Sequence, residues 1–184
     1  MVDIIQFSEI KPKLLSYWIK QGYVFIYPTD TIYGLGCDAT NDVAVERIRE
    51  IKKRFDKPFS VIAPSKSWIS RNFYIKSAYL DKLPGPFTYV LKAKSNKLVS
   101  SSVVKGDKIG IRVPDHPITP MIQKSKVPFV TTSVNVTGKK PYHAIRKIPK
   151  KILNMVDIVI DEGYLTNSPS TVIDLTGELP KIIR

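Results

Sequence analysis

The chain has 184 residues, 43% hydrophobic and 10% aromatic, which suits one domain spanning 1–184 that buries about 70% of its unfolded surface in a single core. No apolar run approaches the length of a membrane span, and the N-terminus, where Asp3, Gln6 and Glu9 interrupt the apolar residues, lacks a signal-peptide core. Twenty-nine basic against 16 acidic residues give a formal charge of +13, which favours anionic partners such as nucleotide phosphates or RNA; a lone cysteine, Cys37, excludes an internal disulfide and points to a cytoplasmic protein.

In chain order, a helix is expected over 11–20 and a strand over 23–27. That strand runs into Pro28-Thr29-Asp30-Thr31-Ile32-Tyr33-Gly34-Leu35-Gly36-Cys37, where two hydroxyls flank an acid and two glycines permit a close approach of backbone to a ligand or a neighbouring strand. Cys37 reads as a small buried residue, since no motif supplies it with a base, and His116 and His143 have no second Cys or His nearby to make a zinc pattern. Asn41 or Asp42 can cap a helix over 42–53, whose apolar residues Ala44, Ile48 and Ile51 recur at helical spacing. It ends in Lys52-Lys53-Arg54, a tripeptide that fits either a solvated C-terminus favoured by the helix dipole or a phosphate site. Strands follow over 59–63, 87–93, 108–113, 128–132, 156–160, 171–175 and 181–184. Helices are expected between them over 67–82 and 116–125, with a poorer one over 144–153 that Pro149 interrupts. Strands separated by helices imply an α/β layered domain, and the short Pro84-Gly85-Pro86 turn suggests a mixed sheet.

Five separated blocks then line up in one order. After the 28–36 stretch and the Lys52-Lys53-Arg54 end come Lys57-Pro58-Phe59-Ser60, Pro84-Gly85-Pro86-Phe87-Thr88 and Ile111-Arg112-Val113-Pro114-Asp115-His116-Pro117, followed by Thr132-Ser133-Val134-Asn135-Val136-Thr137-Gly138 and Ser170-Thr171-Val172-Ile173-Asp174. Together they resemble the YrdC-like family, the threonylcarbamoyl-adenylate synthases, in its short single-domain form. The resemblance implies a twisted mixed sheet flanked by helices, with a concave basic face. It also implies an enzyme, a nucleotidyltransferase, that joins L-threonine, bicarbonate and ATP, with Mg2+, into threonylcarbamoyl-AMP and pyrophosphate. The product would pass to a transferase complex that modifies tRNA beside the anticodon.

The same resemblance assigns roles residue by residue. Lys52 and Arg54 match the phosphate-contacting Lys-x-Arg and would act electrostatically, with no covalent nucleophile and no protein-held metal. Thr29, Arg112 and Ser170 match threonine-contacting positions, Arg112 holding the carboxylate, and Thr31 would help shape that pocket. Lys108, Ser133, Asn135, His143 and Arg184 match nucleotide-contacting positions. The residue types suit the task, because a carbamate must attack an α-phosphate and converging cations offset the repulsion between the two anions.

Two departures stand out. The interval from Arg54 to Lys57 is one residue shorter than the family pattern, with Phe55 where proline is common, so the loop over the phosphates should be shaped differently. Val134 stands where the family has alanine. Two other readings compete: a non-catalytic module binding double-stranded RNA or tRNA through basic residues such as those between Lys139 and Lys151, and a carbamoyl-transfer domain like that of HypF.

Overall fold

The computed structural model describes residues 2–95, 97–104 and 106–184. Its elements run β1 (Asp3–Gln6), α1 (Pro12–Lys20), β2 (Phe25–Tyr27), β3 (Gly34–Gly36), α2 (Asp42–Lys52) and β4 (Ser60–Ile62). Then come α3 (Lys66–Asn72), α4 (Ser77–Leu80), β5 (Phe87–Lys92), β6 (Lys108–Arg112), α5 (Ile118–Gln123) and β7 (Phe129–Ser133). The chain closes with α6 (Lys150–Leu153), β8 (Ile158–Asp161), β9 (Thr171–Asp174) and β10 (Lys181–Ile182).

All ten strands join one mixed sheet in the order β1-β8-β2-β3-β7-β4-β6-β5-β9-β10. Strand alternation sorts side chains between two layers. Phe25 and Tyr27 of β2 join Phe129, Ile158 and Ile160 under α1 and α5, where Leu15, Ile19, Ile118 and Ile122 are buried. Ile26 faces the other way, with Leu35, Val61, Val130 and Val159, against Ala44, Val45, Ile48 and Ile51 of α2. Each such aliphatic side chain, once buried, contributes about 1.5–3 kcal/mol, so the layers hold all three helices well beyond their own propensity.

Helix ends follow local chemistry. Of the two possible caps for α2, Asn41 is the one used, its Oδ1 accepting the N–H of Ala44 at 3.0 Å. The helix stops at Lys53, which takes a left-handed conformation with φ 49°. The helix expected over 67–82 is two short ones, because buried Phe73 bridges to Ala93 and Tyr74 donates its N–H to Lys92 O, which pulls the chain between them into an extended path. The stretch 144–153 is likewise a 3-10 turn at Ile145–Lys147 followed by α6, divided at Pro149. Two strands escaped the sequence pattern: β1, which pairs in parallel with β8, and β3, where Gly36 lies so close to β7 that a Cβ there would meet Val130 O at 2.2 Å. Among the described residues no helix is long and apolar enough to cross a membrane.

Candidate active site

The turn that leaves β2 is held by one hydroxyl. Thr29 Oγ1 accepts the N–H groups of Thr31 (3.1 Å) and Ile32 (3.3 Å) and donates to Ile32 O (2.7 Å), an ST-turn that fixes the backbone locally. Thr31 Oγ1 lies 3.0 Å from Thr29 Oγ1 and accepts from Arg112 Nη2 at 2.8 Å. Arg112, at the end of β6 and only 6% exposed, also pairs through Nη2 with Asp30 Oδ1. Asp30 Oδ2 in turn accepts the N–H of Asp115 at 3.1 Å, and Asp30 O accepts from Asn167 Nδ2 at 2.8 Å. Asp30 thus ties the turn after β2 to the turn after β6 through its carboxylate and to the 162–170 segment through its backbone carbonyl. Burial pulls the Arg112 pKa down from its ordinary value, and Asp30 opposes that shift. Its Nε has no partner, so the guanidinium keeps a buried donor for another acceptor.

Ser170, just before β9, is buried with its Oγ 2.8 Å from Thr88 Oγ1 on β5, and Thr88 stands directly opposite Arg112 in the β5–β6 register. Thr88 belongs to the Pro-Gly-Pro-Phe-Thr block, yet nothing in that block alone marks its hydroxyl as a site group.

At the other end of the motif set, Lys52 departs from the mobile phosphate-binding charge that its sequence position suggests. The side chain is 2% exposed, and Nζ donates to Ser133 O (2.5 Å), Asn135 O (3.0 Å) and Asn135 Oδ1 (2.9 Å). Its own carbonyl accepts the N–H and the hydroxyl of Thr137, at 3.0 and 3.1 Å. Helix α2 and the turn after β7 are therefore stitched in both directions. Burial, then Arg54, then Arg184 push the Lys52 pKa down to about 7, while three oxygen acceptors match the three donors of an ammonium. Ser133 Oγ donates to Asn135 Oδ1 at 2.6 Å, and Asn135 Nδ2 donates to Lys139 O.

These segments enclose a cavity of about 490 Å³. Thr29, Thr31, Thr88, Ser133 and Ser170 bring hydroxyls to its wall, and Arg54, Lys108, Arg112 and Arg184 bring charge. Among the described residues no Asp or Glu lines it. Arg54 Nε is buried without a partner, and its pKa is lowered first by burial and next by Arg49. Phe59, Val90, Val104, Val172 and Ile183 add an apolar portion. Lys52 and Asn135 stand behind Ser133 instead of lining the cavity, and His143 lies apart, with Nδ1 2.8 Å from Leu165 O and its ring stacked on Tyr164 at 6.0 Å. His116, from the Arg-x-Pro-x-His-Pro block, accepts the N–H of Ile118 at Nδ1 (3.1 Å) and pairs through Nε2 with Glu162 Oε2 (2.7 Å), which anchors the start of the 162–170 segment. Cys37 is buried and its thiol is held well above its ordinary pKa, which leaves it no thiolate character.

An acid-free cavity floored by hydroxyls and edged by four cations suits a small zwitterion beside a polyphosphate. The Sua5/YciO/YrdC family model, which carries the description telomere recombination, matches residues 18–184. The chain belongs to the Sua5/YciO/YrdC family. A candidate threonylcarbamoyl-AMP synthase of Methanocaldococcus jannaschii is 39% identical over 180 residues, covering 93% of this chain and 84% of that protein. The crystal structure of P. abyssi Sua5 complexed with L-threonine superimposes with a TM-score of 0.86 at 28% identity and covers all of this chain but 57% of that one. Escherichia coli YciO gives a TM-score of 0.85 at 28% identity, with 100% of this chain and 95% of that one covered. Sua5/YciO/YrdC membership thus rests on nearly the full chain, which nonetheless spans less than two thirds of the P. abyssi protein.

Proposed function

We propose that this protein is a threonylcarbamoyl-AMP synthase, which joins L-threonine, bicarbonate and ATP and releases pyrophosphate. The observation that carries the reading is one cavity in which buried Arg112, with a free Nε, is combined with Arg54, Lys108 and Arg184 and, among the described residues, with no Asp or Glu in the wall.

In this reading Arg112 binds the threonine carboxylate, and Thr31, Thr88 and Ser170 supply short polar contacts around it. Bicarbonate gives up hydroxide to become carbon dioxide, the threonine amine attacks its carbon to form the C–N bond while a C=O electron pair moves onto oxygen, and the proton lost from nitrogen leaves with the hydroxide as water. A carbamate oxygen then attacks the α-phosphorus, and the bond to the pyrophosphate oxygen breaks. Arg54, Lys108 and Arg184 offset the charge of the two anions, while Lys52 holds the Ser133–Asn135 turn that faces the nucleotide. Nothing covalent is asked of the protein, which agrees with a buried, protonated Cys37. The cavity wall offers cations and hydroxyls, and Asp30 is already engaged by Arg112, so magnesium fits as a companion of the triphosphate and supplies charge neutralisation there. The reaction belongs to the cytoplasm, and its mixed anhydride product suits transfer to a tRNA adenosine by a separate transferase. Exposed Lys139, Lys140, Arg146, Lys147, Lys150 and Lys151 support at most weak, backbone-directed RNA contact.

The test is pyrophosphate release from ATP with magnesium, measured with threonine and bicarbonate each present or absent. Release is expected only when both are present. ATP cleavage indifferent to threonine would sink the synthase reading, and tight RNA binding without nucleotide binding would promote the RNA-module alternative.

A further inference from the structure

Three residues before Lys52, on the last full turn of α2, Arg49 is 5% exposed and has no carboxylate partner among the described residues. A buried cation without a counter-ion is costly unless its donors are satisfied. Here Nε and Nη1 are satisfied by backbone. Nε donates to Ser102 O at 2.8 Å, and Nη1 donates to Arg54 O at 2.7 Å and to Lys57 O at 3.3 Å. Two of those carbonyls belong to the loop 53–58, which is the segment one residue shorter than the family pattern. The third belongs to the neighbouring 97–104 segment, whose Val103 O accepts the N–H of Phe59 at 2.9 Å. The guanidinium also lies over the Phe59 ring, 4.8 Å from its centroid, and Arg54 lies over the same ring at 5.2 Å. Arg54 N–H returns to Arg49 O at 3.0 Å, and Arg54 Nη2 donates to Pro58 O. The loop is wound around one guanidinium, and Arg54 and Pro58 of the loop line the cavity, Arg54 bringing the charge.

We propose that Arg49 is a positioning residue for the nucleotide half of the site: it is the internal scaffold of the shortened 53–58 loop and aims Arg54 at the phosphates. It touches no substrate. A planar fork reaching three carbonyls from one buried point is something lysine cannot reproduce. Arg49 therefore holds the loop by side-chain hydrogen bonding to its carbonyls. The aiming part rests on the proposed synthase reading, and the scaffold part does not.

Four variants, R49M, R49K, R54A and the double variant R49M/R54A, separate the possibilities. Apparent KM for ATP and for threonine, and kcat, are measured by pyrophosphate release, and trypsin cleavage after Lys53 and Arg54 is followed by mass spectrometry on each folded protein. In R49M the KM for ATP should rise on the order of 10- to 100-fold, as for a displaced contact group, with the KM for threonine unchanged. R49K should recover little of that loss, R54A should match it, and R49M/R54A should be no worse than R54A alone. Cleavage at both bonds should accelerate in R49M and R49K. If R49M does not fold, R49K decides the matter by the same readouts. Unchanged cleavage together with an unchanged KM for ATP would overturn the proposal, and faster cleavage with an unchanged KM, while R54A is impaired, would overturn the aiming role. An R54A enzyme with wild-type kinetics would instead refute the phosphate role of Arg54, and the cleavage rates would still decide whether Arg49 scaffolds the loop.

Discussion

Replacing Lys52 by methionine probes how the cationic cluster tolerates its own charge. Burial and the neighbouring guanidinium groups of Arg54 and Arg184 hold the folded-state pKa at about 7, against an ordinary value of 10.5. Between those two values the unfolded chain carries a proton that the folded protein lacks, so stability rises with pH across that window, by at most about 1.4 kcal/mol per pH unit. Below pH 7 both states are protonated, and the contribution stays constant at its least favourable. Methionine keeps the length and the apolar stem but does not titrate, and it leaves Ser133 O and Asn135 O without their donor, at about 1–3 kcal/mol each. The unfolding free energy of the wild type minus that of Lys52→Met should therefore grow by about 2–3 kcal/mol from pH 7 to 9.5, on the same linkage slope. Urea unfolding at half-unit pH steps measures it. A triphosphate entering the cavity adds the missing opposite charge and raises the pKa of Lys52, so ATP binding near pH 7.5 should take up protons. Calorimetry in two buffers of different ionisation enthalpy reads that uptake, which should be lost in Lys52→Met. Parallel stability curves for the two proteins, with equal proton uptake, would refute the reasoning.

Arg112→Ala should lower kcat/KM for threonine by about 1.5–3 kcal/mol, roughly 10- to 150-fold; chemical denaturation should also show a loss, because the half-buried Asp30 carboxylate is left without its cation. Serine should be used about 10- to 200-fold less efficiently than threonine, the range for one methyl in an apolar pocket, and equal specificity constants in a competition assay would mean that no such pocket exists. Gly36→Ala should destabilise by about 1–3 kcal/mol or more, since the added Cβ would meet Val130 O at 2.2 Å and the Phe129 ring at 2.4 Å, and a thermal melt checks it. RNA retention in filter binding should be weak and fall with added salt; binding insensitive to ionic strength would contradict the proposed function.

The sequence made the strands of the sheet's interior legible because their apolar residues carry the period of a pleated surface with a core on both sides, and α2 because its apolar residues recur every three to four positions. It hid β3, since Gly34-Leu35-Gly36 offers one side chain to any pattern, and β1, whose Asp3 and Gln6 sit in a partly wet edge strand. The break between α3 and α4 depends on Ala93, twenty residues beyond Phe73, and no local propensity encodes it. Motif order led to the cavity, and Thr29, Arg54, Lys108, Arg112, Ser133, Ser170 and Arg184 do meet there. What motif order could not convey is how donors are spent. Lys52 reads as a helix-end charge until the turn after β7 closes on it, more than eighty residues later, and the pairing of Arg112 with Asp30 is equally remote in sequence. His143 gave no local sign of facing Leu165 and Tyr164 instead of the cavity.

Strand order carries a kinetic consequence. β8 lies between β1 and β2, two strands synthesised more than 120 residues before it. In a chain emerging from the ribosome, neither strand can take its β8 partner until residue 158 and its neighbours arrive. β9 and Arg184 come later still, so the cavity cannot close before residue 184 has been made. Pairings of such long loop closure make folding slow, and in the meantime the open edges of β1 and β2 are exposed to other chains. Expression should accordingly depend on translation speed and chaperone supply well before any substitution touches catalysis.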